Sequence, residues 1–314
     1  MFSLSLSILP VFLLLMTGAL CQRFRFPMAG FWGGVDKLSY WVLFPALLFS
    51  NTSQIDFSNP MLPRYAMILL LALVVTACFV FITVWLLKVP APTGSSMLQA
   101  GVRFNTFIVL AIASSVYGDE GLVLAALGAS ILIPSINVFL VVAMVLMHGK
   151  PAGGDASASL SSLVSGALIR NPLIVSIVLG SGLNLFGLTP IVLLSDVLGM
   201  LAQAALPLVL LAVGASVRLE VIRSVGATFV LSSLARFLVF PLSIVVMCWW
   251  LDVRGLPALV AILFGVVPTA TSAYALARQL GGDADRMAAY ITLQTILAVV
   301  SLPVSVWLSQ FYLG

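Results

Sequence analysis

Successive apolar runs constrain this chain most, because each approaches the ~20 residues that an α-helix needs to cross a membrane. Hydrophobic residues make up 62% of the chain and charged residues only 8%, which is too little polar surface to cover a soluble domain. Apolar runs between charged or Gly/Pro breaks predict about ten helices: 3–22, 35–51, 64–88, 96–117, 121–147, 163–186, 190–216, 225–250, 255–279 and 286–311. The predicted fold class is an all-α polytopic membrane protein.

Basic residues are divided unequally between the loops on the two predicted sides of the membrane. The loops after odd-numbered helices contain Arg23, Arg25, Lys37, Lys88, Lys150, Arg170, Arg218, Arg223, Arg278 and Arg286. The loops after even-numbered helices contain Arg64 and Arg254. Cytoplasmic loops are enriched in Lys and Arg, so we expect the first set in the cytoplasm. Both termini would then lie outside, and the Gly/Ala/Ser-rich linker 151–162 would lie inside.

The two halves of the chain, 1–150 and 163–314, are predicted to be inverted repeats of five helices each. An odd number of helices makes the second half enter the membrane from the opposite side. Three pairs of residues are separated by the same 162 positions: Pro10 and Pro172, Gly18 and Gly180, and Pro45 and Pro207. This shared offset supports the internal repeat.

The clearest predicted helix break is at Pro268 in helix 9, beside Thr269, Thr271 and Ser272. Proline removes a backbone donor, and neighbouring hydroxyl groups can satisfy the freed carbonyls. An offset of 163 places Asn105, in helix 4, at the position equivalent to Pro268. Many inverted-repeat transporters bind their substrate at such paired breaks. Helix 4 has no proline, so the sequence leaves the form of its break open.

Two arginines lie within apolar segments, Arg103 in helix 4 and Arg236 in helix 8. Intramembrane charges usually face a cavity or a partner, and a guanidinium can bind a carboxylate through two parallel hydrogen bonds. Two alternatives stay open: Arg103 can extend to the cytoplasmic interface, and Arg236 can have a structural partner. Together with polar residues at the breaks and in helix 5, they give these candidate substrate-binding residues: Arg103, Asn105, Thr106, Asn137, Arg236, Pro268, Thr269, Thr271 and Ser272.

Several classes of function are disfavoured by what the sequence contains. The 14 basic residues form no cluster that would bind nucleic acid. The three cysteines have no paired spacing, and the single histidine and scattered carboxylates form no recognisable catalytic or metal-binding constellation. We therefore predict neither an enzyme nor a metal or cofactor site. No phosphate-binding loop is recognisable, which disfavours transport driven by ATP.

The chain resembles the auxin efflux carrier family, which includes plant auxin exporters and bacterial permeases for small carboxylates. The resemblance is carried by these strings: LFPALLF at 43–49, RFNT at 103–106, IPSINV at 133–138, RNPLI at 170–174, LPLVLLAVGA at 206–215 and PTATS at 268–272. It implies ten helices in inverted repeats, and broken, crossing helices 4 and 9 around an anion site. It also implies elevator-like movement, with helices 1, 2, 6 and 7 as the scaffold. The short central linker suggests a bacterial relative in the inner membrane.

These observations lead us to expect a secondary transporter of a small organic anion, a mono- or dicarboxylate. The alternative is a sodium- or proton-coupled carrier of a neutral or cationic solute on the same architecture. A channel or a signalling protein without transport is a third class. The expected partners are the organic anion, H⁺ or Na⁺ as a coupling ion, and the lipid bilayer. A homodimer is compatible with the sequence, and no nucleic acid is expected.

Overall fold

The computed structural model describes residues 2–28, 30–55, 57–148, 165–166, 168–188, 192–217 and 226–313, and within these ranges it contains helices but no strand. The helices are α1 (Phe2–Arg23), α2 (Phe31–Leu38), α3 (Phe44–Thr52), α4 (Met61–Leu86), α5 (Ala91–Val102), α6 (Thr106–His148), α7 (Pro172–Leu185), α8 (Val192–Ala215), α9 (Ala227–Leu234), α10 (Phe240–Trp250), α11 (Leu256–Val266), α12 (Ser272–Leu280) and α13 (Ala284–Leu313). The predicted linker 151–162 lies outside the described residues, as do Lys150, Arg218 and Arg223.

Five helical stretches of the described chain are long and apolar enough to cross a membrane: Met61–Leu86, Ala91–His148, Val192–Ala215, Ala227–Trp250 and Ala284–Phe311. Shorter apolar helices accompany them at Ile8–Arg23, Pro172–Leu185 and Leu256–Val266. Large apolar side chains such as Trp85 and Trp249 point away from the protein interior, as expected of side chains that face lipid. The chain is therefore an all-α protein with several helices suited to a membrane.

Two π-helical segments, Ser39–Leu43 and Ala235–Val239, join α2 to α3 and α9 to α10. Each segment ends directly before a Phe-Pro pair, Phe44-Pro45 or Phe240-Pro241. Proline has no N–H to donate and its ring clashes with the carbonyl one turn earlier, so the turn before it widens. The apolar pattern predicted uninterrupted helices here, because one extra residue in a turn barely changes that pattern.

Two interruptions of the helices lie against each other in the interior. The first separates α5 from α6, where Arg103 has an extended backbone (φ −73°, ψ 139°). The second separates α11 from α12, where Val267 is extended as well (φ −84°, ψ 154°). The N–H of Asn105 donates a hydrogen bond to the carbonyl of Pro268, with 2.8 Å between N and O. The segments predicted as helices at 96–117 and 255–279 are thus each divided in two.

Two glycines with positive φ angles follow these interruptions. Gly118 (φ 66°, ψ −155°) lies inside α6 and breaks its helical backbone, at the place where the sequence predicted the end of one helix and the start of the next. Gly281 (φ 80°) ends α12. A side chain is strained at either φ, so glycine suits both turns.

Glycines also allow close approach between helices from the two predicted halves. A β-carbon at Gly18 in α1 would lie 2.0 Å from the carbonyl oxygen of Leu211 in α8. A β-carbon at Gly180 in α7 would lie 2.7 Å from the carbonyl oxygen of Phe49 in α3. These distances are below any van der Waals contact, so the backbones approach in the way that small residues permit in membrane proteins.

The helices pack as two groups. In the first group, α1 packs against α8, and α3 packs against both α7 and α8. In the second group, α10 packs against α4 and α11, and α11 packs in turn against α6 and α13. The α6 helix also contacts α1 and α3, so it lies along the boundary between the groups. The core is apolar, and both interruptions belong to the second group.

Candidate functional site

A cavity of about 940 Å³ lies beside the two interruptions. One wall comes from the second packing group, with residues 103–107 of the first interruption and Ala270, Thr271 and Ser272 of the other. Further lining residues come from the first group and the chain that leads into it, including Tyr40 and Asn171. The cavity is therefore bounded by residues from both groups of helices.

Asn105 makes four hydrogen bonds within the protein, two through its backbone and two through its side-chain oxygen. Its side-chain oxygen accepts from the backbone N–H groups of Phe107 (3.1 Å) and Ile108 (3.3 Å), which caps the start of α6. The side chain is buried, and its Nδ2 has no hydrogen-bond partner among the described residues. Because Asn105 lines the cavity, this amide can donate to a bound ligand.

Arg103 brings a second free donor to the same wall. One of its terminal nitrogens, Nη2, donates to the hydroxyl of Ser272 at 3.3 Å, across the two interruptions. The other, Nη1, is buried and has no hydrogen-bond partner in the part of the chain that the structure describes. A buried guanidinium nitrogen without a partner is costly, so an anionic ligand would relieve that cost.

Six of the nine predicted site residues line this cavity: Arg103, Asn105, Thr106, Asn137, Thr271 and Ser272. The other three, Arg236, Pro268 and Thr269, are not among its lining residues. Pro268 contributes its carbonyl to the bond with Asn105, and so holds the wall rather than forming its surface.

Thr269 belongs to a buried hydrogen-bond network behind the cavity wall. Its backbone N–H donates to the side-chain oxygen of Gln294 (3.0 Å), and its hydroxyl donates to the carbonyl of Gln99 (3.4 Å). The amide nitrogen of Gln294 donates to the carbonyl of Ala100 at 3.3 Å and to the hydroxyl of Ser233 at 3.4 Å. Gln294 thereby joins α5, α9, α13 and the second interruption.

Arg236 is completely buried in the π-helical segment Ala235–Val239. Its Nε donates to the carbonyl of Val267 at 2.8 Å and its Nη1 to that of Val102 at 3.4 Å, while Nη2 donates to the carbonyl of Phe264. Val102 is the last residue of α5, and the other two carbonyls belong to the C-terminal end of α11. All three nitrogens of this guanidinium are therefore used within the protein.

The cavity also contains residues that sequence reasoning did not select as a site. Asp36, Lys37 and Tyr40 reach it from α2 and the π-helical segment that follows, and Arg170 and Asn171 reach it from the start of α7. The available signals were an Asp-Lys pair next to an apolar run and the RNPLI string, but the basic residues were used only to assign orientation. With Arg103, the lining contains three basic side chains and one acidic one.

The first residues of three helices also line the cavity. Thr106 begins α6, Ser272 begins α12, and Asn171 caps α7 by accepting from the N–H of Leu173 at 3.0 Å. A helix N-terminus is equivalent to about half a positive charge, and such ends attract anions. The helix N-termini and the basic side chains therefore both contribute positive potential to the cavity.

Comparison with known proteins gives a family for this arrangement. A family model described as "Membrane transport protein" matches residues 4–306. An uncharacterized transporter of Methanothermobacter thermautotrophicus is 29% identical over 209 residues, which is 66% of this chain and 65% of the relative. The match thus spans less than two thirds of that relative's length. Since the family model covers nearly the whole chain, the resemblance seen in the sequence is confirmed: the chain belongs to the auxin efflux carrier family of membrane transport proteins.

Proposed function

We propose that the chain is a secondary transporter that carries a small organic anion, a mono- or dicarboxylate, across the cell membrane. The observation that carries this proposal is a pair of donors on cavity-lining residues, Nη1 of Arg103 and Nδ2 of Asn105, that have no partner among the described residues. A carboxylate accepts several hydrogen bonds, and charge-assisted bonds from a guanidinium are among the strongest available in proteins.

The arrangement of the helix ends favours the same sign of ligand. The negative C-terminal ends of α5 and α11 are covered by Arg236, whereas the positive N-terminal ends of α6 and α12 lie at the cavity. Lys37 and Arg170 add basic charge to the wall. An anion in this cavity meets favourable potentials from these sources, and among the described lining residues Asp36 is the acidic one.

We also propose that transport occurs by elevator-type alternating access. In support, the cavity lies between the two packing groups, so relative movement of the groups changes which side it opens to. Both interruptions belong to one group and are hydrogen-bonded to each other. A binding wall built in this way can travel as a unit, as alternating access requires.

Inverted repeats of five helices, 1–150 and 163–314, are part of this proposal. Gly18 and Gly180 differ by 162 positions, as do their contact residues Leu211 and Phe49, so the close contacts between α1 and α8 and between α7 and α3 correspond. The positive-φ glycines after the two interruptions, 118 and 281, correspond at an offset of 163. Repeats explain why equivalent features recur near one offset.

In the proposed orientation both termini lie outside and the linker 151–162 lies in the cytoplasm of a cell with this protein in its inner membrane. Lys37 and Arg170 belong to the basic residues assigned to the cytoplasm. Because both line the cavity, the conformation described here would be open toward the cytoplasm.

The test is uptake of labelled acetate, lactate and succinate into proteoliposomes by wild type and by the variant Arg103→Gln. Removing a charged donor from a bound carboxylate should weaken binding by about 1.5–3 kcal/mol, or about 10- to 150-fold. The matched control is Arg254→Gln, at an exposed arginine paired with Asp252. If uptake of every probe by Arg103→Gln equals that by wild type, the proposed site is wrong.

A second candidate is a proton- or sodium-coupled carrier of a neutral or cationic solute, and the carboxylate of Asp36 in the cavity wall favours it. Carriers that move cations usually place carboxylates along their pathway. A proton or sodium flux in proteoliposomes without organic anion, abolished by Asp36→Asn, would favour this candidate over the first.

A further inference from the structure

Arg236 has an unusual position for a buried charge, because no carboxylate of the described residues forms an ion pair with it. The ion pairs among the described residues are formed by Arg254 with Asp252 and by Arg286 with Asp283. The Arg236 guanidinium instead meets three backbone carbonyls, and its central carbon lies 5.0 Å from the centre of the Phe240 ring. Its charge is balanced by dipoles and a π-system rather than by an opposite charge.

The carbonyls that Arg236 binds are those that an interrupted helix leaves unsatisfied. The last carbonyls of a helix have no partner within it, and together they are equivalent to about half a negative charge. Here the C-terminal ends of α5 and α11 lie close enough for one guanidinium to bind both. Two such ends buried together would repel each other if nothing positive lay between them.

Transporters with broken helices often hold Na⁺ or H⁺ at unwound carbonyls and half-helix C-terminal ends. A cation there neutralises the carbonyl dipoles and completes the fold of the site. In this chain Arg236, in the π-helical segment that follows α9, already supplies a positive charge at these carbonyls.

We propose that Arg236 is a resident cation that replaces a coupling metal ion at the C-terminal ends of α5 and α11, so that this carrier works without Na⁺. Arg236 is then a positioning residue rather than a substrate ligand, and it acts by holding the interruptions that carry Arg103 and Asn105. The transport part of this inference rests on the proposed function, whereas the cation-binding part does not.

The π-helical segment is consistent with this role. The β-carbon of Ala235, next to Arg236, would lie 3.3 Å from a β-carbon placed at Gly101, so α5 passes close to the segment. A straight α-helix would rotate Arg236 about its axis, away from its present direction, because a π turn contains one more residue. The position and direction of the Arg236 guanidinium therefore depend on the widened turn and on the small residue Gly101 in α5.

The first experiment measures thermal unfolding of the purified full chain in NaCl and in N-methylglucamine chloride at equal ionic strength. We expect Na⁺ to leave wild type unchanged and to raise the melting temperature of Arg236→Met, because the freed carbonyls then accept a metal ion. Arg254→Met is the matched control and should not respond. A melting temperature of wild type that rises with Na⁺, or of Arg236→Met that does not, would overturn the proposal.

The second experiment measures uptake of labelled acetate, lactate and succinate in the same two salts. Wild type should transport equally well in both, and Arg236→Lys, which keeps a positive charge, should remain independent of Na⁺. Strict dependence of wild-type uptake on Na⁺ would overturn the inference. This result does not require the methionine variant to fold. If wild type transports none of the probes, the proposed function is at fault, and the unfolding experiment still decides the role of Arg236.

Discussion

Replacing Asn105 by aspartate separates the helix-capping role of this side chain from its proposed role as a donor to the ligand. The oxygen that caps α6 has an equivalent in aspartate, whereas the unpartnered Nδ2 donor becomes a second carboxylate oxygen. Asn and Asp are about equally good caps, and a negative charge at a helix N-terminus is favourable. We therefore expect the stability of Asn105→Asp to stay within about 1 kcal/mol of wild type.

Binding of a carboxylate should respond far more strongly than stability. Loss of one hydrogen bond to a charged ligand costs about 1.5–3 kcal/mol. Two carboxylates about 4 Å apart repel by about 4 kcal/mol at an effective dielectric constant of about 20, and the neighbouring charge of Arg103 offsets part of this. The expected sum is a loss of at least about 100-fold in affinity, equal to about 2.7 kcal/mol.

The assay combines thermal unfolding with titration of acetate, lactate and succinate onto the purified protein. Asn105→Ser keeps a cap without adding charge, so its affinity loss, about 10- to 150-fold for about 1.5–3 kcal/mol, reports the missing amide donor without the added repulsion. Asn59→Asp is the matched control, since the Asn59 side chain accepts from the N–H of Met61 in an exposed loop. Binding by Asn105→Asp within about threefold of wild type, about 0.6 kcal/mol, would show that Nδ2 does not donate to the ligand.

Three further substitutions test the packing and hydrogen bonding of the helices. Gly214→Ala places a β-carbon 1.9 Å from the carbonyl oxygen of Leu15, so unfolding measurements should show a loss of about 1–3 kcal/mol. Gly199→Ala in the same helix meets nothing within 4 Å and should be neutral or stabilising, and equal effects at both positions would contradict the contact. Gln294→Leu removes the acceptor for the buried N–H of Thr269 and should destabilise the protein by about 1–3 kcal/mol, whereas an unchanged melting temperature would exclude the network.

The sequence predicted the helical class, the break at Pro268 and the place of its counterpart at Asn105. It left open the form of the first break, because no proline marks it. In the structure the asparagine side chain ends the interruption by capping the next helix, and its backbone N–H binds Pro268. An N-cap inside an apolar run is hard to recognise, since one asparagine barely lowers the mean hydropathy of a span.

The two intramembrane arginines show what spacing alone cannot decide. Both lie in apolar segments, yet Arg103 keeps a free nitrogen at the cavity while Arg236 uses its nitrogens on backbone carbonyls. The difference depends on which residues lie opposite each helix, and on the π-helical segment that directs Arg236. Neither property has a periodic signal in a single sequence.

The wall formed by Asp36, Lys37 and Arg170 was missed for a different reason. These charges lie near the ends of predicted spans, where the membrane-orientation rule already accounts for basic residues. Only the tertiary arrangement brings the start of α7 and the α2 helix to the same cavity. Charges at span ends can therefore serve topology and ligand binding together.

The glycine contacts have a consequence for how the chain can be made. Gly18 lets α1 pack closely against α8, and Gly180 lets α7 pack closely against α3. Each half of the chain therefore contributes one partner to each contact. Neither half buries these surfaces when it is synthesised alone. The α1 and α3 helices must therefore wait for partners that are translated more than a hundred residues later, so these contacts cannot form within either half alone.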